Sequence, residues 1–169
     1  AEAISFPIMA EMSQVWLGLT HPERMWRRAA LVVAGSVTGV AITHLLARAG
    51  HRPPAPWTTP AMRTATSRYL SRGPSGYWKQ ALTGIPVKLF AAESGSRDLP
   101  LPAVVIHAAG ERAARMAVST AVVKALGKPL GPISRQHYGP YLAATGVVFA
   151  TALRGVIKHW QRPRRPGHR

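Results

Sequence analysis

The chain has no cysteine, which excludes a disulfide framework, a thiolate metal site and a cysteine nucleophile. Acidic residues are nearly as scarce. Glu2, Glu11, Glu23, Glu93, Asp98 and Glu111 are scattered singly, so the sequence offers no convergent carboxylates. The histidines form no i,i+3 or i,i+4 pair suited to holding a metal. A phosphate loop, a dinucleotide fingerprint and a nucleophile elbow are all missing. These absences argue against an enzyme and against a bound metal.

What is present is positive charge combined with apolar bulk. The chain carries 22 Lys and Arg against 6 acids, a formal net charge of +16, yet 47% of its residues are hydrophobic. A basic disordered tail is far less apolar, and an independent soluble domain rarely carries so lopsided a charge. The expected neighbour is anionic, with acidic lipid, RNA and acidic protein surfaces as the classes to weigh. The opening Ala1, the basic composition and the few acids lead to the expectation of a processed chain delivered to the mitochondrial inner membrane.

The chain is organised around residues 20–50, which read as a first transmembrane helix. Ala29 to Ala47 is an uncharged run of nineteen residues, and at about 1.5 Å per residue it approaches the roughly 30 Å hydrocarbon layer. Thr20 and Glu23 fit a capping box, Pro22 suits the first helical position and Gly50 suits the C′ position. Arg24, Arg27 and Arg28 precede the run, and Arg48 and Arg52 follow it, placed so that their stems snorkel toward anionic headgroups such as cardiolipin. Gly35, Gly39, Thr43 and Ala47 step by four along one stripe of small residues, the pattern of a close helix–helix contact. His44 is the one imidazole in the run. Three residues from the end of the run, it is expected to reach the interface or to hydrogen-bond a neighbouring subunit rather than to ligate haem or pigment.

Residues 1–19 read as a short amphipathic segment. Residues 51–100 read as an extended, proline-rich, basic and aromatic connector with short helices at 61–72 and near Tyr77–Leu82, and with a loop at 95–102. Within it Trp57, Tyr69, Tyr77 and Trp78 alternate with Arg63, Arg68, Arg72 and Lys79, which suits an interfacial belt or a base-stacking RNA surface. Residues 101–128 predict a long helix ending at Gly127, kept out of a lipid-exposed crossing by Glu111, Arg112 and Arg115. Residues 134–160 hold a second, shorter uncharged run. There Arg154 and Lys158 would have to snorkel, and Gly146 and Ala150 repeat the small-residue step, which suggests a hairpin with the first helix. The tail 161–169 adds Arg162, Arg164 and Arg165 for anionic lipid or RNA.

The expected fold is mainly α, with one or two transmembrane helices, extended proline-rich connectors, additional amphipathic helices and no compact soluble domain. In overall character, with its small-residue stripes, broken connectors and basic ends, the chain resembles the supernumerary membrane subunits of mitochondrial respiratory complexes and ATP synthase. That resemblance implies a non-catalytic accessory subunit without a cofactor, partnered by other subunits of a multi-subunit complex and by anionic lipid, with the ATP synthase membrane region as the first choice. The alternatives are an RNA-associated organellar ribosomal protein and a haem- or pigment-binding membrane subunit.

Overall fold

The structure is a computed structural model that describes residues 14–15, 18–19, 21–52, 54–55 and 58–161. Arg162, Arg164, Arg165, Trp57 and the proposed cap Thr20 lie outside the described residues. Helix accounts for 85% of the structure, and no strand occurs among the described residues.

A 3₁₀ turn over Pro22–Arg24 leads into α1, Met25–Arg48. The helix closes as the sequence predicts: Gly50 has φ 85°, its N–H donates to the Ala47 carbonyl at 3.1 Å, and the His51 N–H reaches back to Leu46 at 2.8 Å. This is a Schellman motif, and only a residue without a Cβ enters that left-handed turn freely.

Residues 51–100 contain the two short helical stretches that the sequence predicts: α2 (Pro60–Leu70) at 61–72, and a 3₁₀ helix (Pro74–Lys79) that passes into the short α3 (Gln80–Thr83) near Tyr77–Leu82. The expected loop at 95–102 is corrected, because α4 (Val87–Ser96) and a helix starting at Leu101 leave only 97–100 between them. Prolines stand at the starts of these helices. Pro60 stands at the first position of α2 behind the cap Thr59, whose hydroxyl accepts from the Met62 N–H at 3.2 Å. Pro74 opens the 3₁₀ helix, and Pro86 and Pro100 cap α4 and the next helix. A proline lacks only an N–H that the first turn leaves unbonded anyway.

Helix α5 runs Leu101–Gln136, 36 residues, through both Pro129 and Pro132. The predicted end at Gly127 is therefore wrong by nine residues. Each proline deletes one backbone donor, yet the helix continues where Gly131 lies against the Leu19 carbonyl, with Ser134 Oγ donating back along the helix to the Gly131 carbonyl at 3.0 Å. Tyr138–Gln161 forms α6, with Pro140 in its first turn.

The helices share a buried core. Val40 of α1, Met62 and Leu70 of α2, Phe90 and Ala91 of α4, Val104 and Ala108 of α5 and Trp160 of α6 belong to one apolar cluster. Truncating a ring such as Phe90, which is fully buried, costs about 3–5 kcal/mol by lost contacts and cavity formation. α1 packs chiefly on α4 and α5. It runs antiparallel to α5, because Arg48 at its C-terminal end pairs with Asp98 just before α5 at 2.6 Å, while Met25 at its start shares a second buried cluster with Val123.

Helix α6 does not pair along α1 as the expected hairpin; it packs on α2 and α5. Its two ends are tied to different parts of the chain. The Tyr141 hydroxyl donates to the carbonyl of Val15, upstream of α1, whereas Trp160 Nε1 donates to the Thr83 carbonyl at 3.1 Å, in the segment downstream of α1. α1 with its leading turn (Pro22–Arg48) and α6 are each long and apolar enough to cross a membrane.

Candidate membrane interface and buried polar contacts

The small-residue stripe of α1 divides between two environments. Gly39, Thr43 and Ala47 are buried, and the partner at the lower end of the stripe belongs to the same chain. A Cβ placed on Gly95 of α4 would collide with the His44 carbonyl and stand 3.0 Å from the Ala47 Cβ. Gly95 is thus the matching small residue. Sequence reading misses it because residues 95–102 read as a loop; the run Ala91, Ala92, Ser94, Gly95 carries the signal. The space around Gly35 is open: a Cβ placed there would meet no atom within 4 Å, and the same holds for Gly146. Gly146 and Ala150 of α6 are not brought to α1; Ala150 is exposed.

His44 has a definite structural role. Fully buried, it shares a hydrogen bond between Nδ1 and Ser94 Oγ at 2.9 Å, and the Tyr77 hydroxyl joins the same Ser94 oxygen at 3.2 Å. Ser94 in turn donates to the Ala91 carbonyl at 2.9 Å. One serine therefore holds α1, α4 and the 3₁₀ helix together. The partner expected from a neighbouring subunit is supplied within the chain. Burial keeps the Tyr77 phenol well above its ordinary value, with the bond to Ser94 acting in the opposite direction.

The aromatic and basic alternation of residues 63–79 separates in space. Tyr77 is buried against Phe90, with ring centroids 5.5 Å apart, and Tyr69 stacks on the same ring at 6.4 Å. Trp78 stays half exposed and donates to His107 Nδ1 at 3.3 Å. Arg63, Arg68, Arg72 and Lys79 are exposed. Tyr77 is thereby committed to the interior, whereas Tyr69 is half-buried.

The basic residues expected to mark the ends of the apolar runs do lie at the ends. Arg24 and Arg27 are exposed and Arg28 is half buried, at the start of α1. At its other end Arg48 is held by Asp98, and Arg52 Nε donates to Ser96 Oγ at 3.1 Å. Arg154 and Lys158 are exposed near the end of α6. Between these borders the outer faces of α1 and α6 are apolar, with Leu31 66%, Val147 67% and Val148 68% exposed.

In the middle of α5 the charges of Glu111 and Arg112 turn inward. Glu111 and Arg112 are each 1% exposed, the Arg112 Nε lies 3.6 Å from Glu111 Oε2, and Arg115 reaches Glu111 Oε1 at 3.5 Å and Gln80 Oε1 at 3.0 Å. Gln80 also donates to the Ile85 carbonyl at 3.0 Å, satisfying the break between α3 and α4. Among the described residues no three His, Cys, Asp or Glu gather as a metal site. No protein-family model matches the chain, and no curated protein or solved structure matches it either.

Proposed function

We propose that this chain is a non-catalytic, membrane-embedded helical subunit of a larger membrane assembly, anchored by α1 and α6. The observation that carries this reading is the pair of exposed, uncharged faces on α1 and α6 bounded by arginine and lysine at their ends. Exposed apolar area on this scale is a surface for lipid or a partner, not for water. The basic borders then meet acidic headgroups such as cardiolipin. The open glycines Gly35 and Gly146 support a partner helix on the outer surface, since small residues let helices approach closely in lipid. Within this class the mitochondrial inner-membrane complexes of oxidative phosphorylation, the ATP synthase membrane region first, are the assemblies to test; the support is the charge balance and the small-residue steps.

Alkaline carbonate and high-salt washing of membranes from the native source tests the reading. The chain should stay in the pellet and leave it only with detergent. Release by salt or carbonate would overturn the reading and favour the ribosomal alternative, because contacts with phosphate weaken steeply with salt.

A further inference from the structure

We propose that the first part of α5, Leu101–Val123, is a third membrane crossing, lying beside α1 with its outer face on lipid acyl chains and its charged residues turned toward the protein. The inference rests on the membrane reading of α1 and α6 and adds to it.

Both ends of α1 are registered against α5. Arg48 at the C-terminal end of α1 pairs with Asp98 just before α5, and Met25 at its start shares a buried cluster with Val123. α5 therefore runs antiparallel to α1 along its length, and a crossing by α1 carries this part of α5 across the same layer in the opposite direction.

The surface of α5 suits that role. Its first 23 residues span about 34 Å as a helix, enough for the hydrocarbon layer. Ile106, Ala113, Ala114, Ala117, Val118 and Val122 face outward, and the charged residue over this stretch that reaches the surface in part is Arg115, 23% exposed. The first exposed charges beyond its ends are Asp98 and Lys124. Counting charges along the sequence forbids this crossing; knowing which way they face removes the objection. Glu111 and Arg112 are paired and buried, and Arg115 is held by Glu111 and Gln80. Charged residues in membrane helices take this position, inward and partnered.

The absence of cysteine makes the test direct. Single variants Glu23→Cys, Ser71→Cys and Gln136→Cys, all at exposed sites, are produced in the full chain in sealed vesicles and treated with a membrane-impermeant maleimide before and after permeabilisation. Glu23→Cys and Gln136→Cys should label from one side and Ser71→Cys from the other. Val118→Cys, on the outer face of the crossing and five residues inside its end, should stay unlabelled after permeabilisation. Gln136→Cys on the side of Ser71→Cys, or a labelled Val118→Cys, overturns the third crossing while leaving the crossing by α1 intact. Glu23→Cys and Ser71→Cys on one side would instead remove the membrane reading of α1 and this inference with it.

Discussion

Gly95 and Gly35 show how two residues of one type carry opposite consequences. At Gly95 any side chain meets the backbone carbonyl of His44, which cannot rotate away, so the α1–α4 contact must open. Gly95→Leu should therefore destabilise the fold by at least the ~1–3 kcal/mol typical of overpacking, read as a lower thermal midpoint of helical circular dichroism in detergent. A Cβ at Gly35 meets no atom of the chain within 4 Å, so Gly35→Leu should leave that midpoint unchanged. Its effect belongs to the surface outside: loss of co-migration with partner subunits by Gly35→Leu, at unchanged midpoint, would locate the outer contact, and full co-migration would exclude Gly35 from it. The step from Gly35 to Ala47 was readable because period four is a property of the chain. Which members of the step are covered was not, since Gly95 comes from a segment 48 positions beyond Ala47.

At the scale of elements, the strongest readings concern helices whose ends are written locally. α1 stops where Gly50 and the His51 N–H permit it, and α2 begins at Thr59-Pro60. α4 escaped notice because Val87–Ser96 is short and bounded by Pro86 and a turn, yet it is among the most buried parts of the molecule. α5 outran its stop signals where Gly131 lies against the Leu19 carbonyl and Ser134 is buried; a local rule has no access to such packing. α6 depends on its end contacts. Trp160 is the member of α6 in the main core and bonds to Thr83, so Trp160→Ala should cost about 3–5 kcal/mol and free the C-terminal turns. Faster tryptic cleavage at Arg154 and Lys158 in detergent would register the release, and an unchanged cleavage rate would show that α6 is held by other contacts.

For the whole molecule, an 18.2 kDa chain with apolar outer faces on its long helices is expected to travel in a larger particle. On a native gel of mild-detergent extracts it should migrate well above its monomer with co-migrating membrane subunits, and a monomeric band under the mildest detergents would argue against assembly. The sequence by itself determined the location and length of the apolar runs, the basic residues at their borders and the closing of α1 at Gly50, because each is a property of residue order or local backbone chemistry. Only the tertiary structure decided that α4, opened by Pro86, packs on α1, that His44 is bonded within the chain, and that Glu111 and Arg112 of α5 face inward. Those outcomes depend on which surfaces meet across long separations, and a burial that reverses the meaning of a charge exists only once its partner helix is in place.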